Sequence, residues 1–457
     1  MADPVSENLS EESTEKNLLA DLLDQPEKNS LLLNELLELH PADFADQFEQ
    51  LSNDERESLI AETPALISPD VLAELEDEVV ENILPLLQPG QIADAITELD
   101  NDDATQIFEE MEDEQREEVL DALQPGDRAN LEASLAFDDE TIGRLMQRDF
   151  VAAPAFWTVG DAIDHMRAAG EELPELFYNI WIIDTAFHPK GFVPVSTLMR
   201  SPRSAALESL MNNQIMTIDQ NMDQEEAAYI FEKYHLISAP VLDADGRITG
   251  VMTVDDIIDI IQDENKEDIL ALAGVSEAGV TDTAFSTVKA RAPWLFLNLL
   301  TAILASLVIA QFDYKINQFV QLAILMPIVA SMGGNAGTQA LAVAVRSLAE
   351  RDLTTQNTWR VIRRELVAAS FNGLIFAVAL ALIAYLWFGR QDIAMVAFIA
   401  MIINHIFAGL AGIIVPLSLK RFGFDPAVSS SVFVTTVTDV IGFLAFLGFA
   451  ALMLPAI

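Results

Sequence analysis

The sequence predicts a mixed architecture in three parts: an N-terminal all-α superhelical region, a tandem of α/β modules, and an all-α membrane domain of five helices. Three observations predict it. From Leu18 to about Leu145 apolar residues recur at three and four with carboxylates on the opposite face, the period of short amphipathic helices. Between about Ile142 and Asp263 strand-like and helical runs alternate, with a DADG hairpin turn at 243 to 246. After Lys289 come five uncharged runs, each able to hold the ~20 residues that cross ~30 Å of hydrocarbon. The expected boundaries are a flexible acidic tail at 1–15, an acidic helical domain at 16–140, the α/β tandem at 141–262, a connecting helix at 263–288 and the membrane domain at 289–457.

Charge separates the same parts. Residues 1 to 288 hold 14 Lys and Arg against 65 Asp and Glu, a net of −51, whereas residues 289 to 457 hold 11 against 7, a net of +4. So acidic a first half repels nucleic acid and anionic lipid surfaces and favours cations or basic partners, which excludes a nucleic-acid-binding role. There is no cysteine, hence no disulfide, thiolate metal site or cysteine nucleophile. The N-terminus, MADPVSENLSEESTEKNL, lacks the basic region and apolar core of a secretory signal, so the first half is expected in the cytoplasm. No nucleophile–base arrangement or phosphate loop is present, and an enzyme is not expected.

In the helical region LHPADFADQF (39–48), LQPGQIADAI (87–96) and LQPGDRANLE (123–132) each place a proline, a polar turn and a new helix, as suits proline in a first helical turn. Pro89 and Pro125 lie 36 apart, close to a helix-pair repeat, which predicts a small helical solenoid. Two readings of its acidic faces stay open. The carboxylates either solvate a small superhelix or repel one another until divalent cations screen them.

The first α/β module reads VAAPAF (151–156), a helix from Val159 to Ala169, a strand in FYNIWIID (177–184), then GFVPVSTLM (191–199). The second is clearer: IMTIDQNMDQEEAAYIFEKYHLISAPVLDADGRITGVMTVDDIIDII (215–261) gives a short strand, a helix, a strand ending at Leu242, the DADG turn, strand ITGVMT and a last helix opened by Asp255 and Asp256. These modules resemble a CBS-domain tandem, most specifically in APVLDADGRITGVMTVDDIIDII. The resemblance implies a regulatory pair that takes an adenosine nucleotide such as ATP, or a divalent cation, at the second module. The first module departs from the pattern at His188 and Pro189 and at Val195 and Ser196. Asp255 and Asp256 equally suit capping of their own helix.

That helix runs on through DIIDIIQDENKEDILALAGV (256–275), where Asp259, Asp263, Glu264, Glu267 and Asp268 recur at three and four and line one side. Like charges so spaced oppose each other until a hard, oxygen-seeking cation sits among them. A solvated connector face is the alternative. The position directly before the membrane part favours a gating element.

The uncharged runs are 292–310, 316–345, 366–389, 393–419 and 426–457, the last broken only by Asp439. Basic residues precede the first run and fill the second and fourth connections, among them Arg346, Arg351, Arg360 and Lys420, so the N-terminus is expected inside and the C-terminus outside. In the second run MPIVASMGGNAGTQALAVAV (326–345), Pro327 and the glycines Gly333, Gly334 and Gly337 predict a kink or close helix packing, and Asn335, Thr338 and Gln339 add polarity. Asn404 and His405 in the fourth run are candidates of the same kind.

A carboxylate inside an apolar span is costly unless it faces protein, water or a cation, so Asp439 marks a functional site. Ala427, Ser431, Thr435, Thr438 or Asp439, and Gly442 fall along one stripe of small and hydroxylated residues, as a narrow hydrated route needs. KARAPWLFLNLLTA (289–302), LMPIVASMGGNAGTQALAVAVRSLA (325–349) and FDPAVSSSVFVTTVTDVIGFLAFLG (424–448) resemble the MgtE-type magnesium transporters. That resemblance implies a homodimer in the plasma (inner) membrane, in which Asp439 holds a largely hydrated magnesium at the dimer axis. It implies that Asn335 belongs to a Gly-Gly-Asn signature with Gly334, and that Glu267 and Asp268 on the connecting ("plug") helix bind cytosolic magnesium in the closed state. The expected function is magnesium import down its electrochemical gradient, closed by cytosolic magnesium. The alternatives are a secondary transporter of Mn2+ or Co2+ and a membrane-anchored CBS sensor without transport.

Overall fold

The computed structural model describes residues 18–19, 36, 38–63, 66–170, 173–174, 176–275, 284–349, 353, 357–427 and 430–455. The acidic tail expected at 1–15 and residues 276–283 of the expected connecting helix lie outside them. The chain divides into two compact units, Met1–Gln262 and Asp263–Ile457.

The first unit opens with short helices, among them Pro41–Glu49, Asn53–Glu62, Pro69–Ala73, Asp77–Ile83, Pro89–Glu98, Asn101–Glu109, Asp113–Ala122 and Pro125–Ser134. Four begin on proline, whose missing N–H costs nothing in a first turn. Their apolar stripes close one core that includes Phe44, Phe48, Leu59, Val79, Ile92, Ile107, Phe108 and Val119. Two arginines staple successive helices. Arg56, only 2% exposed, lies over the Phe48 ring and donates Nε to Phe48 O at 3.1 Å and Nη2 to Glu49 O, satisfying carbonyls that the end of helix Pro41–Glu49 leaves open. Arg116 does the same to Phe108 O (3.2 Å) and Glu109 O at the end of Asn101–Glu109, over the Phe108 ring. The pairs Phe48/Arg56 and Phe108/Arg116 stand 60 positions apart, a longer repeat than the 36 of Pro89 and Pro125.

The tandem follows as two three-stranded sheets of one topology. β1 (Ala152–Pro154), β2 (Asn179–Ile183) and β3 (Pro189–Pro194) form the first, β4 (Ile218–Asp219), β5 (Ser238–Leu242) and β6 (Ile248–Thr253) the second. In each the first pair is parallel and the second antiparallel. The helix of the first module is Val159–Ala169, boxed at its start by Thr158 and Asp161. The short strand of the second module sits at Ile218 and Asp219, three residues beyond the expected start at Ile215. The DADG turn closes with Gly246 at φ +80°, a left-handed position that glycine takes without strain.

Linkers cross between the modules. Gln147, ahead of the first module, pairs with Val251 on β6, and Asn212, ahead of the second, pairs with Phe192 on β3. Each crossing sets a methionine on a glycine: a Cβ on Gly250 would stand 2.7 Å from Met146 Sδ and from Gln147 O, and one on Gly191 would overlap Met211. Only glycine lets the linker strand lie that close to the sheet.

From β6 the chain enters one helix, Val254–Ala273, which starts at the Asp255–Asp256 pair expected to open it and runs on past the expected domain boundary at 262/263. It ends on Gly274 at φ +75°, with Gly274 N bonded to Ala271 O and Val275 N to Leu270 O, the Schellman pattern that closes a helix.

The second unit holds five helices long and apolar enough to cross a membrane: Thr287–Ala310, Val320–Leu348, Thr358–Phe388, Gln391–Arg421 and Ser430–Met453. The fourth is the centre, packed on the second, third and fifth, and half of its apolar window is buried against 6% for the first. The first span leaves Leu295, Phe296, Leu299, Leu300 and Ile303 uncovered. The second span stays helical through Pro327 and the three glycines, so the expected kink is no break in the helix. Lys315, buried between the first and second spans, donates Nζ to Leu454 O at 2.9 Å and so closes the C-terminal end of the fifth helix.

Candidate ion pathway and cation-sensing acids

Asp439 is the tenth of the 24 residues of helix Ser430–Met453. It is half-buried and makes no hydrogen bond or ion pair with any described residue. Ser431 and Thr435, eight and four residues earlier, share its stripe, half-buried and exposed respectively. Their hydroxyl chemistry is partly turned inward along the helix, since Thr435 Oγ1 donates to Ser431 O at 2.7 Å and leaves its lone pairs free. Thr438 and Gly442 belong to the other side: both are buried, and the sequence alternative between Thr438 and Asp439 resolves to Asp439 on the open stripe. Ala427 is buried too but precedes the helix, with its N–H on Asp425 Oδ1 at 2.8 Å. The helical stripe therefore starts at Ser431.

On the second span Gly333 and Gly337 are buried and face neighbours, whereas Gly334 is half-buried and Asn335 exposed. A Cβ on Gly337 would lie 2.6 Å from Val434 Cγ1 and 3.3 Å from Thr438 Cγ2, so this glycine is what lets the second and fifth spans touch. Thr338 Oγ1 donates back to Gly334 O at 3.0 Å. His405 of the fourth span bonds within its own helix, Nδ1 to Met401 O at 3.0 Å, and stacks on Phe376 of the third. It is a packing residue of the bundle.

The acidic helix Val254–Ala273 divides its carboxylates. Asp255 and Asp259 are exposed; Asp256 turns in and caps the helix, taking Thr253 Oγ1 at 2.8 Å and Thr253 N at 3.3 Å. The capping alternative thus holds for Asp256. Gln147 Nε2 adds a contact to each Asp256 oxygen at 3.3 Å. Further along, Asp263 and Glu267 are exposed while Glu264 and Asp268 are half-buried.

Asp256 has company that sequence reasoning missed. Asp102 and Asp103 start helix Asn101–Glu109, with Asp102 Oδ1 buried and without a hydrogen-bond partner. Burial first, then the charges of Asp256, Asp103 and Asp100, push the Asp102 carboxyl well above its ordinary range. Burial, then Asp100, Asp256 and Asp259, raise Asp103 to about 7. Burial, with Asp255 and Asp100 adding and the Thr253 bonds opposing, raises Asp256 to about 6. Among the described residues no three acidic or histidine side chains stand close enough to cage a metal outright. The group is a crowded set of partly desolvated carboxylates that a cation would relieve. Its signal in the sequence is slight, because two aspartates at a helix start read as ordinary dipole partners.

Comparison with known proteins accounts for most of the chain. A divalent cation transporter family model (MgtE) matches residues 326–449, the MgtE intracellular N domain model matches 39–140, and the CBS domain model matches 207–263. A magnesium transporter MgtE of Bacillus subtilis (strain 168) is 30% identical over 414 residues, 90% of this chain and 92% of that one. This chain belongs to the MgtE family. It is a multi-pass membrane protein of a transporter family, not an enzyme.

A second MgtE, from Thermus thermophilus, is 30% identical over 327 residues, 70% of this chain and 72% of that one. Among solved structures, the soluble part of a magnesium transporter is 25% identical with a TM-score of 0.48, covering 55% of this chain and 98% of its own. The cytosolic domain of the Mg2+ channel MgtE in complex with ATP is 28% identical with a TM-score of 0.49, covering 53% and 98%. Within the MgtE match at 326–449 fall Asn335, Ser431, Thr435 and Asp439; Asp102 and Asp103 fall in the N domain match and Asp256 in the CBS match. That CBS match spans the second module only, in line with the departures at His188 and Val195 in the first.

Proposed function

We propose that the chain imports Mg2+ down its electrochemical gradient through a channel-like route at Asp439 and is closed by cytosolic Mg2+. One observation carries the reading: Asp439 is a half-buried carboxylate ten residues into an apolar helix, with no partner among the described residues. Such a group is costly unless its counter-charge arrives from outside the fold. Magnesium keeps several of its waters, so Asp439 supplies field while Ser431, Thr435 and, across the route, Asn335 and Gly334 face a hydrated ion. Two copies of Asp439 on a dimer axis would repel without a divalent cation and attract one strongly. The uncovered apolar face of the first span suits lipid and a second copy. An inside-negative potential supplies about 2.3 kcal/mol per charge per 100 mV, so no ATPase is required.

Closure is assigned to the acids of the cytoplasmic side: Asp102, Asp103 and Asp256 in one group, Asp255, Asp259, Asp263, Glu264, Glu267 and Asp268 along the helix Val254–Ala273. A divalent cation offsets the burial and the neighbouring charges of Asp100, Asp256 and Asp259 that together raise Asp103 to about 7, and by linkage the state it binds is the one it stabilises. An adenosine nucleotide such as ATP is assigned to the shallow cleft walled by Phe150, Phe177, Tyr178 and Trp181, with Gln147, Asp149, Asn179, Ser238 and Thr253 as polar groups. In this reading the N-terminus lies in the cytoplasm and the C-terminus outside, which the basic connections between the spans support.

The experiment is Mg2+ flux in proteoliposomes as internal magnesium is raised from micromolar to ~10 mM. Flux that falls with internal magnesium supports both transport and closure; absence of flux at any level would favour a sensor without transport. The same vesicles with Mn2+ or Co2+ in competition, and with an imposed proton gradient, separate this reading from a coupled carrier of another divalent metal.

A further inference from the structure

The centre of the membrane unit holds a polar group that the proposed route does not use. Asn404, on the fourth span, is 0% exposed. Its Nδ2 donates to Val329 O of the second span at 2.8 Å, while its Oδ1 is buried with no partner among the described residues. The assignment of N and O is fixed by chemistry, since the reverse orientation would set two acceptors against each other.

Two glycines make room for it. A Cβ on Gly333 of the second span would stand 2.1 Å from Asn404 Nδ2 and 2.6 Å from its Cγ. A Cβ on Gly442 of the fifth span would stand 2.8 Å from Nδ2 and 3.1 Å from Cγ. One carboxamide therefore fills the notches of two other helices. Gly333 is next to Gly334 and Asn335, and Gly442 lies three residues, just under one turn, beyond Asp439. A carboxamide whose Oδ1 has no protein partner among the described residues, in a three-helix seam, is a cost that packing alone does not ask for, because a leucine would occupy similar space.

We propose that Asn404 is a positioning residue for the ion route: its carboxamide, seated on Gly333 and Gly442 and tied to Val329 O, fixes the height and rotation of the Asp439 helix against the Gly333–Asn335 segment. Asn404 itself does not meet the ion, since it is wholly buried on the side of the fifth span that carries Thr438 and Gly442, away from the stripe of Ser431, Thr435 and Asp439. The inference rests on the reading of Asp439 as the route.

The test uses the full chain in proteoliposomes, with melting of the purified protein in detergent as a second measurement. Asn404→Leu keeps the bulk and loses the bond; it is expected to fold and to shift the half-saturating Mg2+ concentration, or the Mg2+ to Co2+ preference, about tenfold. Asn404→Asp, which removes the donor at constant shape, is expected to do the same. Gly442→Ala is expected to lower the melting temperature and the flux, and Gly442→Ala combined with Asn404→Ala to restore melting in large part while keeping the shifted half-saturation, since the clash is relieved and the positioning carboxamide is still lost. Unchanged half-saturation and preference in Asn404→Leu or in the double variant would overturn the proposal, and so would failure of the double variant to recover its melting temperature. Should Asn404→Leu not fold, the double variant carries the decision. Full flux in Asp439→Asn would instead remove the route itself, while the rescue of melting by the double variant still reads the seating of Asn404 on Gly442.

Discussion

Replacing Asp103 by asparagine removes one charge from the Asp102–Asp103–Asp256 group at nearly constant shape. Asp103 is raised from 3.8 to about 7, a shift of about 3 units and so on the order of 4 kcal/mol. The sign follows from which state holds the proton. Between about pH 4 and about pH 7 the folded protein keeps a proton on Asp103 that the unfolded chain has released, so stability is lost as pH rises through that window and levels off above it. The Asp103→Asn variant carries no such penalty. Without divalent cation it should melt higher than the parent at pH 8 by about 5–10 °C and by little at about pH 4. Magnesium at ~10 mM should raise the parent more at pH 8 than at pH 4, and should raise the variant less than the parent. The assay is thermal melting of the full chain in detergent across pH, with chelator or magnesium. A parent that becomes more stable as pH rises from 4 to 8 without metal, or a magnesium gain that is equal at both pH values and in both proteins, would refute the reasoning.

Other perturbations test the frame. Arg56→Met should lower the melting temperature by several degrees, about 2–4 kcal/mol, because Phe48 O and Glu49 O at a buried helix end lose their donors; Arg116→Met at the more exposed repeat should cost less. Gly250→Ala drives a methyl to within 2.7 Å of Gln147 O and Met146 Sδ and should destabilise the linker crossing by about 1–3 kcal/mol, read as faster proteolysis between the helical domain and the tandem. Gly274→Ala strains a left-handed helix end and should cost about 1 kcal/mol in melting, with the closing effect of magnesium on flux weakened because the end of helix Val254–Ala273 frays.

What could be read from the sequence was whatever a local pattern carries. The five spans follow from uncharged length, and the second module from a DADG turn flanked by alternating strands, since both are set by neighbours in the chain. Asp439 stood out for the same reason, one charge in an apolar run. The rest depends on partners far away in sequence. Asp102 and Asp103 look like ordinary helix-start acids until the fold brings Asp256, more than 150 positions later, beside them. Arg56 and Arg116 are single basic residues in an acidic region, and their work shows only as bonds to the preceding helix end. Asn404 was visible as a polar residue in a span, but its two glycine notches come from two other helices. Ser431, Thr435 and Asp439 share one face of the helix Ser430–Met453, whereas Ala427 precedes that helix, a difference that periodicity does not mark without a capping signal. The helix that joins the second module to the stretch before the membrane was legible as well, opened by Asp255 and Asp256 and running on past 263, because its acidic start and its periodicity are both local, and the structure has it as Val254–Ala273.

The most direct measurement is Mg2+ uptake into proteoliposomes by the parent and by Asp439→Asn, at low internal magnesium and matched protein content. Asparagine keeps the size and removes the charge. Uptake by the variant at the level of protein-free vesicles, with a melting temperature within a few degrees of the parent, is the predicted result. Uptake at the parent's rate would contradict it, and Asp439 would then be a half-buried carboxylate without a role in conduction.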